Sequence, residues 1–116
     1  MIGRALVVVV AALSLGACGD GGGGAAEDSE PVPTNRVLLP KSYRFEPPAI
    51  EVEAGTTVTW VNEDDFPHNV TLLDGRDVSK ALPVGGSATI TFEDPGEVPY
   101  ECSLHPQQMQ GRVMVV

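Results

Sequence analysis

Ile50-Glu51-Val52-Glu53-Ala54-Gly55-Thr56-Thr57-Val58-Thr59-Trp60-Val61 decides the fold class of this 116-residue chain. Apolar Ile50, Val52 and Ala54 alternate with Glu51 and Glu53, and Val58 and Trp60 alternate with Thr57, Thr59 and Val61. Alternation with period two is the pattern of strands that bury one face, because successive side chains leave a pleated backbone in opposite directions. The same period returns in His68, Val70 and Leu72, in Ala88, Ile90 and Phe92, and in Val98, Tyr100 and Cys102, with a last strand over Gly111 to Val116. Gly55, Asp74-Gly75, Gly85-Gly86 and Asp94-Pro95-Gly96 punctuate these runs with turn chemistry. The reading is all-β, with about seven to eight short strands that can share one core only as two stacked sheets, a Greek-key β-sandwich. Leu73 to Leu82 shows no clear alternation and is expected to hold a loop or one helical turn.

Working outward, the chain divides into three expected parts. Residues 1–17 read as a secretory signal: Arg4, then an apolar run from Ala5 to Leu15 too short to span a bilayer. Leu15-Gly16-Ala17-Cys18 resembles the lipobox of bacterial lipoproteins, in which cleavage leaves the cysteine first and its sulfur acquires a diacylglyceryl group. An ordinary cleavage site beside a bystander Cys18 is the alternative. Residues 18–34, rich in glycine, alanine, acids and proline, have almost nothing to bury and are expected to be a lipid-anchored disordered linker with a reach of about 20–25 Å. Residues 35–116 form the folded domain. The chain is thus expected to be exported and held on the extracytoplasmic side of the cell membrane through lipid on Cys18.

Sixteen acidic and seven basic residues give a net charge of −9, which excludes nucleic acid and anionic surfaces as expected partners. A positively charged patch on a partner protein suits such a surface and would speed the encounter at low salt.

The chain has only two histidines and two cysteines. With Cys18 lipidated, Cys102 has no thiol to pair with, and metal ligation explains a lone cysteine in an oxidising compartment better than an inert buried thiol does. His105 follows it by three residues, Met109 lies four further on, and His68 sits on a distant strand. Period two turns His68 and Cys102 toward the core, so both reach one end of the sandwich. A thiolate, two imidazoles and a weak thioether are the donors of a blue-copper centre, whereas zinc would usually take four strong ligands. Gln107, Gln108 or Gln110 could replace Met109 with a side-chain oxygen. Taken singly, His68 reads as a satisfied strand histidine and Met109 or Met114 as filler; the combination favours one copper ion.

Thr57-Val58-Thr59-Trp60-Val61-Asn62, Pro67-His68-Asn69-Val70 and Tyr100-x-Cys102-x-x-His105-Pro106 running into Met109-x-Gly111-x-Val113 resemble the cupredoxins, nearest the amicyanin and plastocyanin branch. The resemblance spans about residues 45–115 and implies a type 1 copper site that shuttles single electrons. It also implies that Asn69 ties the two ligand-bearing segments together by hydrogen bonds; alternation alone would make it a solvated strand residue. Three residues separate His105 from Met109, where amicyanins have two and plastocyanins four. His105 is expected to bring a ring edge to the surface, framed by Phe66, Pro67 and Pro106, as the electron-transfer patch. Glu63-Asp64-Asp65 would help to orient a partner or merely decorate a turn. Copper oxidases and nitrite reductases of related fold need further histidines, which this chain lacks, so catalysis on a small molecule is not expected. The expected role is a monomeric one-electron carrier that meets other redox proteins; buffering or delivery of copper outside the cell is the alternative.

Overall fold

The computed structural model describes Gly3 and residues 29–116; apart from Gly3, the expected signal segment lies outside the described residues, as does Cys18. Nine strands run in chain order: β1 (Val32–Pro33), β2 (Arg36–Leu39), β3 (Ala49–Val52), β4 (Thr56–Asn62), β5 (His68–Leu72), β6 (Ser79–Leu82), β7 (Ser87–Phe92), β8 (Gly96–Glu101) and β9 (Gln110–Val115). Six of them form one sheet in the order β1-β3-β9-β8-β5-β6, and β2-β4-β7 form the other. The all-β sandwich expected from alternation is the observed fold, with no helix among the described residues.

Two of the nine strands lie where none was expected. Val32–Pro33 pairs in parallel with Ile50 and Glu51, inside the stretch read as linker, so chain pairing begins before residue 35. Proline can close a sheet there because an edge strand needs no outward N–H. Ser79–Leu82 pairs antiparallel with β5 where a loop or helical turn was expected. Its burial pattern is exposed at three of four residues, which is why no alternation marks it.

The core follows from the period-two faces. Trp60 of the smaller sheet meets Tyr100 of the larger one edge-on at 5.3 Å between ring centroids, and Phe45 and Phe92 complete the aromatic cluster. Each large apolar side chain removed from water contributes about 1.5–3 kcal/mol. Gly111 stands opposite Tyr100 in the β8–β9 register, and a Cβ there would overlap the tyrosine ring. Tyr100 therefore folds over its cross-strand neighbour because that neighbour has no side chain. In the centre of this cluster the Trp60 Nε1 and Tyr100 hydroxyl are buried with no hydrogen-bond partner.

Strand direction decides what gathers at each end. β4 runs toward Asn62 and β8 toward Glu101, while β5 starts at His68 and β9 at Gln110. β2 runs parallel to β4, with Leu39 beside Asn62, so the turn after β2 arrives at the same end. Residues 40–48, 63–67 and 102–109 thus crowd together.

Candidate metal centre

Cys102 lies just past β8, and its backbone N–H donates to the Met109 carbonyl at 3.0 Å, extending the β8–β9 ladder by one rung. The loop between is wound tightly by His105 N–H to the Cys102 carbonyl (3.0 Å) and Met109 N–H to the His105 carbonyl (2.9 Å). Gln110 Nε2 donates to the Pro106 carbonyl and braces the outer side. These bonds hold Cys102, His105 and Met109 near one another whatever else the chain does. Cys102 and Met109 are fully buried, and His105 is half-buried.

His68 reaches the same point from β5. The β5–β8 ladder pairs only Leu72 with Tyr100 and Thr71 with Glu101, then opens. Asn69 takes over where the ladder stops: its Nδ2 donates to Ser103 Oγ (2.7 Å), and its Oδ1 accepts from the Ser103 N–H (2.8 Å) and from Thr71 Oγ1 (2.9 Å). A side chain thereby replaces the missing backbone rungs beside two donor residues.

The His68 ring is fixed from behind. Its Nε2 lies 2.8 Å from Asp64 Oδ2, and an ionised carboxylate can only accept, so Nε2 carries the hydrogen and Nδ1 keeps its lone pair. That Nδ1 faces Cys102 Sγ at 3.7 Å. The bond from His68 holds the Asp64 carboxyl below the usual carboxylate range, against the opposing effect of its burial. Asn62 holds the loop that delivers Asp64: its Nδ2 donates to the carbonyls of Phe66 (2.9 Å) and Leu82 (3.0 Å), and its Oδ1 accepts from the Asp64 N–H (2.9 Å). The surface reading of Glu63-Asp64-Asp65 therefore applies to Glu63 and Asp65, which are exposed, and is corrected at Asp64, which is 5% exposed and turned onto His68.

Donor atoms of His68, Cys102 and His105 all lie within 4.8 Å of one another, and His105 Nδ1 is 4.0 Å from Cys102 Sγ. An ion held in trigonal or tetrahedral geometry by metal–sulfur and metal–nitrogen bonds of about 2.3 and 2.0 Å needs donors about 3.3–3.7 Å apart, so the sulfur already stands within a few tenths of an ångström of that spacing from both nitrogens, and a shift on the order of 1 Å of the imidazoles completes it. The donor set fits copper: one buried free thiol, two imidazoles, and the thioether residue Met109 buried in the same loop. Phe66, Pro67 and Pro106 are all exposed, Phe66 at 52%, and Leu104 at 56% adds to the apolar surface of the ligand loop.

Three residues escape the sequence reading. Asn62 and Asp64 continue the inward parity of Val58 and Trp60, and a polar residue at a core position was the available signal. Tyr43 is the third; its ring touches His105 and His68, yet it comes from a turn with no periodicity to mark it.

Comparison with known proteins agrees with this geometry. The family model for the cupredoxin-like domain matches residues 5–115. Amicyanin-alpha of Methylorubrum extorquens is 32% identical over 116 residues, covering 96% of this chain and 96% of that one. Among solved structures, a purple cupredoxin from Nitrosopumilus maritimus superposes with a TM-score of 0.66 at 30% identity, covering 72% of this chain and 100% of that one. The copper-containing nitrite reductase of Thermus scotoductus gives 0.62 at 34% identity, over 76% of this chain but 23% of that enzyme.

Proposed function

Since the chain belongs to the cupredoxin-like family, we propose that it carries single electrons between redox proteins through one copper ion held by His68, Cys102, His105 and Met109. The observation that carries this reading is the convergence of two imidazoles and a free, fully buried thiol within 4.8 Å at one end of a rigid sandwich. Bound there, copper would supply a one-electron couple between its +2 and +1 states.

The chain's own residues do the rest. Asp64 and Asn69 hold the donors from outside, so the same ligand geometry serves both oxidation states and little rearrangement accompanies transfer. Burial of the thiol keeps water and oxidants from the sulfur. Half-exposed His105, with apolar Phe66, Pro67 and Pro106 nearby, is the route by which electrons leave, since an apolar rim permits close, short-lived docking. The net charge of −9 suits a partner with a basic face. Among the described residues, no second cluster of histidine, cysteine or carboxylate donors accompanies the first, and a centre with four protein donors offers substrate no open position. A coordination shell filled by the protein suits a carrier.

Export and lipid attachment at Cys18, with the linker ending before the paired residues of β1, belong to the same proposal and rest on the order of Arg4, the apolar run and Leu15-Gly16-Ala17-Cys18. No helix of the described residues is long and apolar enough to cross a membrane. Voltammetry of the copper-loaded protein, together with the rate of copper loss to a chelator, tests the carrier reading. A reversible one-electron wave with slow loss is expected; rapid loss without a reversible wave would establish the delivery role instead.

A further inference from the structure

The turn after β2 places one aromatic ring against both histidines. Tyr43 meets His105 edge-on at 4.9 Å between ring centroids and 62° between planes, and meets His68 at 6.0 Å and 87°. Its other neighbour is Phe66, stacked at 6.0 Å and 22°. Tyr43, Phe66 and His105 thereby join residues 41–44, the loop before β5 and the ligand loop, none of which pair with one another through strands. Tyr43 also has φ of +49°, a left-handed conformation that a bulky side chain rarely adopts. Strain of this kind persists only where surrounding contacts over-determine it, and it clusters at functional sites. The ring contacts of Tyr43 are to the two imidazoles and Phe66, and it packs against the edge of the core.

Resting on the copper reading above, we propose that Tyr43 is a positioning residue: its ring clamps His105 against His68 and closes the solvent side of the metal centre to small anions and water. The two histidine rings lie 5.4 Å apart, so one ring seated against both restrains their mutual angle. His105 has the greater need of restraint. His68 is tied by Asp64 through its remote nitrogen, whereas the ring contacts of His105 are to Tyr43 and His68. Edge-to-face aromatic contacts do not depend on the phenol oxygen, so the ring and not the hydroxyl carries the role.

Two measurements on the full chain test this, one of them independent of copper. In metal-free protein, proton NMR is expected to show cross-relaxation between the Tyr43 and His105 rings and a ring-current shift of the His105 protons that Tyr43→Leu abolishes. In copper(II)-loaded protein, azide is added while the visible and electron-paramagnetic-resonance spectra are followed. Wild type and Tyr43→Phe are expected to stay unchanged, and Tyr43→Leu to bind azide on the order of tenfold more tightly, the scale of one aromatic pair. Absence of the ring contact, a Leu variant as inert as wild type, or a Phe variant as open as Leu would each overturn the proposal. Should Tyr43→Leu fail to fold, the ring contact in wild type and the azide response of Tyr43→Phe still decide. A loaded wild type without an intense thiolate band would instead defeat the copper assignment and leave the clamp measurable in the metal-free protein.

Discussion

Two buried polar regions of this sandwich are built on opposite terms. At the metal end, Asn62, Asp64 and His68 are each buried and each bonded, in a chain that runs from backbone carbonyls through a carboxylate to an imidazole. A few residues deeper, Trp60 and Tyr100 bury an indole N–H and a hydroxyl that have no well-formed hydrogen bond and only each other as polar neighbours. Leaving such atoms unsatisfied costs about 1–3 kcal/mol each, so both sets being buried needs separate explanations. Where donor atoms must point in fixed directions, hydrogen bonds set the angles. In the aromatic cluster shape alone is asked for, and the rings fill space well enough to tolerate stranded polar atoms.

The sharpest way to break the comparison is at the thiol. Cys102→Ser removes the soft donor, and the intense visible band of a copper–thiolate bond is expected to vanish altogether; a spectrum that survives would show that another residue binds the metal. Asp64→Ala frees the remote nitrogen of His68 and is expected to weaken copper binding by about 10–100-fold, measured by competition with a chelator. The fold should remain, since the Asn62 bond to the residue 64 backbone N–H does not need the carboxylate. Gly111→Ala drives a methyl into the Tyr100 ring and is expected to cost about 1–3 kcal/mol in denaturant unfolding, with the copper spectrum little altered if the two regions are separable.

Tyr100→Phe gives the smallest effect and the most telling sign. Removing a stranded hydroxyl is expected to leave stability unchanged or raise it by up to about 1 kcal/mol. Burial raises the Tyr100 ionisation above its ordinary value. A tyrosine whose folded pKa exceeds its unfolded value of about 10 contributes stability that is intact below that pH. Above it, the unfolded chain releases the proton and the folded one does not, so wild type should lose about 1.4 kcal/mol per pH unit relative to Tyr100→Phe. Chemical unfolding at pH 9 and pH 11 measures the difference.

The contrast also separates what could be read from the chain alone. Alternation through Ile50, Val52, Val58 and Trp60 was enough for two stacked sheets, because burying one face imposes period two. Cys102, His105 and His68 were legible because donor chemistry restricts which residue types can meet. Strand β6 was not, since an edge strand with three exposed residues has no buried face to impose a pattern. Asp64 was hidden by its neighbours: flanked by Glu63 and exposed Asp65, it looked like part of a solvated run, although it shares the inward parity of Trp60 and Asn62. Tyr43 gave no signal at all, for a turn residue acquires its neighbours only when distant loops close around it.

Strand β1 runs parallel to β3, which runs parallel to β9, and β9 leads away from Met109. Ser29, whose carbonyl accepts from Arg112 near the start of β9, accordingly joins the body on its copper-bearing side. Ten residues lie between Cys18 and Ser29, so the two can stand at most about 40 Å apart. With the lipid attachment proposed for Cys18, a leash fastened there would keep the electron-exchanging tip on the side nearer the anchor, within reach of proteins embedded in the same bilayer.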